Sequence, residues 1–298
     1  MPDTVTVLEV VSAAHGGHTW LGLMAGSHSR AAALGEFDDR IARDGFARTC
    51  SLCPGACAVW RDFEARLGPS DNLFLRAREF FGKPILVITS IKTCREHLEH
   101  PSIRHKMVLL IRDGRAVLAS HLRKYPATPA ALRVRQWQAT CRALEARLSA
   151  LPARDRLVLH YESLVEDPDA HLRRVCGLLG VDYEPEMKAY WCRAHHFLGG
   201  NQGAQYFVKT HQRGGVADHG RPVDLEFYAR QDPRRFRDKR WRTELCADDL
   251  RTFEALGGRR NRRYGYPRSQ GVGSPVRVWA RRARLALAHA RDRIAARL

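Results

Sequence analysis

The chain has 298 residues, is 44% hydrophobic and carries 50 Lys and Arg against 32 Asp and Glu, a formal charge of +18. That length and apolar content exclude a disordered tail or a disulfide-stapled miniprotein, and they fit one large α/β domain or two small ones. No apolar stretch approaches a membrane span, no basic-then-apolar leader opens the chain, and eight scattered cysteines do not make a secreted disulfide framework, so a cytoplasmic protein is expected. The charge asks for a polyanionic partner: nucleic acid, an anionic membrane, or polyanionic small molecules. Asn201 to Leu298 holds 23 Lys and Arg against 10 Asp and Glu, so +13 of the +18 lies there.

Val5 to Val11 reads as a strand, followed by Ser12-Ala13-Ala14-His15-Gly16-Gly17-His18-Thr19-Trp20-Leu21. Leu21, Leu23, Met24 and Leu34 give an apolar helical pattern, with Gly26 to Ser29 as its end. A strand, a Gly-containing loop and a helix N-terminus make an anion site, because free backbone N–H groups and the helix dipole both favour negative charge. Two adjacent glycines let the backbone close around a phosphate or sulfate. The loop lacks the Lys of the Walker ATP loop, which disfavours an ordinary kinase or ATPase. Cys50, Cys53 and Cys57 are spaced C-x2-C-x3-C. Three such thiolates can begin a zinc site, with His28, Cys94 or another His as a fourth ligand; a disulfide or reduced structural thiols are the alternatives, and reduced thiols are the first expectation.

Pro84 to Thr89 is the next strand and ends in Ser90-Ile91-Lys92-Thr93-Cys94. Met107 to Ile111 is another, ending in the turn Arg112-Asp113-Gly114-Arg115 before a helix that contains Ser120. Arg112 then stands at a strand's carboxyl end, where open α/β sheets bind ligands, and a guanidinium and a hydroxyl so placed can share one phosphate. Pro129 to Leu151 reads as an amphipathic helix packing through Leu132, Trp137, Cys141, Leu144 and Leu148. Arg156 to His160 is a strand, Tyr161-Glu162 follows it, and Asp167-Pro168 opens a helix that Gly180 closes. The order of elements suggests α/β architecture, a mostly parallel sheet flanked by helices on both faces. Residues 1–270 form one domain in this reading. After a linker, 271–298 form a basic amphipathic tail with Trp279, suited either to an anionic membrane surface or to packing on its own domain.

These segments together resemble the PAPS-dependent sulfotransferases, which have a P-loop NTPase-like fold, and the bacterial branch in particular. The family's 3′-phosphate segment is Arg-Asp-Pro-Arg with a Ser eight residues after the first Arg; Arg112 and Ser120 keep that spacing, and Gly114 replaces the Pro. The loop His15-Gly16-Gly17-His18-Thr19-Trp20 is similar to the family's 5′-phosphosulfate loop, with His15 where the family has Lys or Arg. Gly35-Glu36 matches the place of a carboxylate that takes the acceptor's proton, Lys92 matches a strand-end Lys, and Cys94 falls where the cytosolic enzymes have a catalytic His. Tyr161 matches the adenine-contacting Tyr, and Arg213-Gly214-Gly215 is similar to a late 3′-phosphate clamp.

The resemblance implies sulfuryl transfer from PAPS to a hydroxyl, or else an amine, of a small-molecule, glycan or lipid acceptor. Glu36, His15 and Lys92 are then catalytic, and no metal is needed for the chemistry. His97 and His100 are substitutes for the base. The competing readings are a nucleotide-dependent phosphotransferase, which needs a magnesium-binding carboxylate after a strand, and a nucleic-acid-binding protein, supported by charge alone.

Overall fold

The computed structural model describes residues 4–37, 44–89, 95–213 and 224–269. Among the described residues five strands form one sheet: β1 (Val5–Val11), β2 (Ala31–Gly35), β3 (Ile85–Ile88), β4 (Ile103–Ile111) and β5 (Arg156–His160), in spatial order β2-β3-β1-β4-β5. Every pairing is parallel. The α-helices of eight or more residues are α1 (His18–Gly26), α2 (Ala58–Ala65), α3 (Leu73–Phe81), α4 (Gly114–Lys124), α5 (Ala130–Ser149), α6 (Pro168–Leu179), α7 (Gln202–Arg213) and α8 (Ala247–Leu256).

A parallel sheet with crossover helices is buried on both faces, so its strands read as continuous apolar runs rather than as alternations. β4 shows this directly. Met107 and Leu109 pack with Leu144 and Leu148 of α5, while Val108 and Leu110 point the other way into the main core with Val10 and Trp20. The one acidic residue of β1, Glu9, is fully buried and is matched by Arg147 and by His105, whose Nε2 lies 3.1 Å from its carboxylate. A carboxylate so paired is structural.

β4 begins four residues before the apolar run Met107–Ile111, because Ile103 to Lys106 pair with Val5 to Leu8 of β1 whatever their side chains. Two expectations are corrected. Leu34 belongs to β2 and not to a helix: Ala31 to Ala33 pair with Ile85 to Val87 of β3, and tertiary pairing overrides the weak strand preference of three alanines. Leu132 is 47% exposed, so the packing face of α5 starts at Val134 and runs through Trp137, Cys141, Leu144 and Leu148. The expected ends of the other elements hold. Pro129 precedes α5, Asp167 caps α6 by accepting from the Ala170 N–H, and Gly180 closes α6 at φ 71°. No helix among the described residues is long and apolar enough to cross a membrane. The basic tail 271–298 lies outside the described residues.

The sheet order decides where ligands go. β1 and β4 are neighbours, with Val11 beside Leu109, so the loop leaving β1 and the turn leaving β4 emerge side by side at the carboxyl edge.

Candidate active site

The loop after β1 is built around two glycines that cannot be replaced without moving something. Gly16 donates its N–H to the Ala13 carbonyl (2.8 Å), and a Cβ there would lie 2.4 Å from Ser12 Oγ. Gly17, the N-cap of α1, sits at φ 99°, and a Cβ there would lie 2.5 Å from the Tyr161 ring. No side chain caps α1 and its first turn has no acidic residue, so its N-terminal dipole is left to the cleft. His15 is the one non-glycine residue with positive φ among those described (64°). That turn aims its carbonyl at Arg112, whose Nη1 donates to it at 2.8 Å.

Arg112 is 8% exposed and works as a hub. Its guanidinium lies 4.3 Å over the Tyr161 ring, and Nη2 is 3.6 Å from a carboxylate oxygen of Asp238. Its Nε is buried without a partner among the described residues. Burial opposes its charge, but Tyr161, Asp238 and Glu162 outweigh that and leave its pKa raised. Asp238 is held by Arg240 through two contacts of 2.8 and 2.9 Å. Burial works against its ionisation, yet Arg240 and Arg112 keep the carboxyl well below the usual carboxylate range. Tyr161 donates its hydroxyl to the Phe236 carbonyl (2.6 Å), and burial pushes its pKa up.

These residues line one cleft of about 570 Å³, counting the part open to solvent. Its walls are His15, Gly17, His18, Thr19 and Trp20 from the loop and α1, Arg112 and Ser120 from the β4–α4 unit, and Tyr161, Asn201, Ala204, Phe227, Tyr228, Phe236 and Asp238. Ser120 is two turns along α4, on the same side as Arg112.

The histidines of the cleft are neutral near pH 7. Burial is the largest reason that His15 lies well below its ordinary 6.5; His121, Lys124, Arg112 and Arg123 add charge repulsion. His121 packs edge-on against His15 (4.6 Å between centroids) and is itself lowered to about 4, mainly by burial. Burial also takes His18 to about 4, and its Nδ1 lies 2.6 Å from Ser12 Oγ.

Glu36 is not among the residues that line the cleft. It stands behind a strip that joins it to the loop. The Gly200 N–H donates to Glu36 Oε1 (3.1 Å), the Asn201 N–H donates to Thr19 Oγ1 (3.1 Å), and the Leu198 carbonyl accepts from the Glu36 N–H (2.8 Å). Gly199 sits at φ 59°, and a Cβ there would lie 2.6 Å from Glu36 Oε2, so the carboxylate would have to shift. His97 and His100 lie outside the cleft lining as well. Lys92, Cys94 and the side chain of Arg213 lie outside the described residues.

Phe227, Tyr228, Phe236 and Asp238 were not assigned to the site from sequence. Phe227 and Tyr228 enter it from the short helix Leu225–Ala229, and Phe236 and Asp238 from the irregular segment after it. The cysteine loop also gained a partner that sequence did not single out: Cys50, Cys53 and Cys57 meet His196. His28 is elsewhere, with Nε2 at 2.9 Å from the Asp182 carbonyl.

Residues 97–185 match the model of the sulfotransferase family. That segment contains Arg112, Ser120 and Tyr161; the loop after β1 precedes it. Among solved structures, the sulfotransferase domain of the Synechococcus PCC 7002 olefin synthase superposes with a TM-score of 0.58 at 19% identity, over 90% of this chain and 97% of that one. The sulfotransferase domain of the curacin biosynthetic pathway superposes with a TM-score of 0.55 at 17% identity, over 90% of this chain and all of that one. No curated protein sequence matches significantly. The chain has the P-loop-like α/β sulfotransferase fold and carries sulfotransferase-family sequence over its central third.

Proposed function

We propose that the protein is a PAPS-dependent sulfotransferase that moves a sulfuryl group to an acceptor hydroxyl. The observation that carries this reading is a convergence. A glycine loop on an uncapped helix N-terminus, a buried guanidinium at the next strand's end and a hydroxyl two turns beyond it line one cleft. The fit to a doubly phosphorylated nucleotide is supported by the buried Nε of Arg112, which has no partner among the described residues, and by the N-terminus of α1, which no side chain caps.

When bound, PAPS supplies an activated sulfuryl group on a phosphate leaving group. In this reading the backbone N–H groups of residues 17–19 and the α1 dipole hold the 5′-phosphosulfate. Arg112 and Ser120 hold the 3′-phosphate, and Trp20, Tyr161, Phe227 and Phe236 offer the aromatic wall for a base. His15 donates a hydrogen bond, neutral or protonated, toward the bridging oxygen. Glu36 takes the acceptor's proton, positioned by the Gly200 N–H. Lys92 and Arg213 complete the proposed set. The acceptor, whether small molecule, glycan or lipid, enters beside Glu36.

A phosphotransferase is less well supported. Such an enzyme needs a carboxylate free for magnesium at a strand end. Here Asp113 is taken up by Arg115 (2.7 Å) and Asn261, and Glu162 by the Asp113 N–H and Tyr266.

The test is thermal unfolding with PAP beside ATP, followed by a labelled-PAPS acceptor screen. PAP should raise the melting temperature far more than ATP, because ATP lacks the 3′-phosphate that Arg112 and Ser120 would read. Equal shifts, or none, would overturn the proposal.

A further inference from the structure

The three cysteines of the loop 50–57 and His196 converge although 139 residues separate Cys57 from His196. Their three sulfurs and one imidazole nitrogen all lie within 4.8 Å of one another. His196 Nδ1 is 3.3 Å from Cys57 Sγ and 3.5 Å from Cys53 Sγ. For tetrahedral zinc, with Zn–S about 2.3 Å and Zn–N about 2.0–2.1 Å, the sulfur–nitrogen edge comes to roughly 3.5 Å and the sulfur–sulfur edge to roughly 3.8 Å. The two sulfur–nitrogen edges to Cys53 and Cys57 therefore match a coordination tetrahedron, and the remaining edges lie within 4.8 Å. All three cysteines are buried, at 3%, 9% and 1% exposure. A disulfide would use two of them and leave a thiol and an imidazole facing it with no purpose.

The backbone holds the ligands from outside. The Trp60 indole N–H donates to the His196 carbonyl (2.6 Å), the Cys57 N–H to the Ala47 carbonyl (2.8 Å), and Ser51, through both N–H and Oγ, to the Phe197 carbonyl. Such outer contacts fix the orientation of metal ligands.

We propose that Cys50, Cys53, Cys57 and His196 form a closed structural Zn²⁺ site. Thiolates with one imidazole in a tetrahedron select zinc among the common divalent ions. Four protein ligands leave no open position, so the ion has no part in the transfer. Its role is to tie two distant segments. Cys50 bridges to Leu198, Thr49 accepts from the Gly199 N–H, and Gly200 and Asn201 then hold Glu36 and Thr19. The metal fastens the strip on which the proposed base rests. The site itself does not depend on the proposed reaction.

The experiment is metal analysis of the full chain, purified under reductant without immobilised metal, followed by removal of the ion and titration with Co²⁺. The expected result is about one zinc per chain and the ligand-field spectrum of a tetrahedral thiolate–Co²⁺ centre at a 1:1 ratio. Cys53→Ser and His196→Ala should lower bound zinc at least about tenfold, and Cys192→Ser, at an exposed cysteine, should not. Should those variants fail to fold, chelation of the wild type serves instead: it should lower the melting temperature, and zinc, but not magnesium, should restore it. Folded, reduced protein that holds no zinc and gives no tetrahedral cobalt spectrum overturns the proposal. So does a disulfide within 50–57 in protein kept reduced throughout.

Discussion

Gly17→Ala should cost far more than the loss of a glycine's flexibility. At φ 99° an L-residue is strained by roughly 1–2 kcal/mol. The new methyl would also stand 2.5 Å from Tyr161 Cδ2 and 2.7 Å from Cε2, where carbon atoms prefer about 3.5–4.0 Å. The ring cannot retreat. Its hydroxyl is bound to Phe236 at 2.6 Å, Arg112 lies 4.3 Å over its face, and the residue is 6% exposed. Overpacking of this kind adds about 1–3 kcal/mol, for a total of about 2–5 kcal/mol. Gly180→Ala is the control, because its φ of 71° is equally left-handed and a Cβ there meets nothing within 4 Å; it should cost only about 1 kcal/mol. Urea unfolding of the three proteins at a common m-value, with PAP calorimetry beside it, separates the two terms. PAP binding should weaken in Gly17→Ala alone, since a displaced loop carries the phosphate-facing amides with it. If both variants lose the same stability and both keep wild-type PAP affinity, the packing of loop on ring is not what holds the site.

Glu36→Gln should lower turnover by about 10²–10⁴-fold while leaving PAP affinity unchanged, as measured by steady-state rates beside calorimetry; near-normal turnover would remove Glu36 from the mechanism. Acid should destabilise the fold in the window from about pH 6.5 down to about pH 4. His195 is 4% exposed, and burial lowers it to about 4, so the unfolded chain takes its proton first and stability present above pH 6.5 is lost as pH falls. His195→Asn should flatten that part of the stability–pH curve, and an unchanged curve would contradict the assignment.

The strands and the two turns at their ends were legible in the sequence because a buried parallel sheet writes itself as short apolar runs. Arg112 and Ser120 were legible for a different reason. Both belong to one strand–turn–helix unit, so their spacing is local. β2 was missed because Ala31 to Ala33 signal a strand only through what they pair with. The pairing of the cysteines with His196, and the arrival of Phe236 and Asp238 beside Arg112, depend on contacts across more than a hundred residues. No period or spacing encodes those. The strongest local clue in the missed wall was its run of aromatics and arginines, which reads equally well as a solvated surface.

In the proposed reading His15 stands where the resembled phosphosulfate loops have Lys or Arg, and an imidazole there makes binding depend on pH as those cations would not. His15 is held neutral first by burial and then by the charges of Lys124, Arg112 and Arg123, with His121 adding to them. Those same cations are what a polyanion would neutralise. Phosphates seated among them exchange repulsion for attraction at the imidazole, so its pKa must rise on binding. The sign follows from linkage: a group that binds its proton more tightly in the complex makes binding stronger as pH falls, between its free and bound pKa values. His15 should therefore take up a proton on PAP binding between those two pKa values, against the release of protons by the phosphates of PAP, whose second pKa is about 6. Calorimetry at one pH in two buffers of different ionisation enthalpy measures the net proton count, and His15→Ala should shift it toward release. His18, also lowered by burial, is the alternative source, and His18→Asn distinguishes the two. A net proton count unchanged by His15→Ala would mean that the imidazole stays neutral and that His15 serves the leaving phosphate only as an N–H donor.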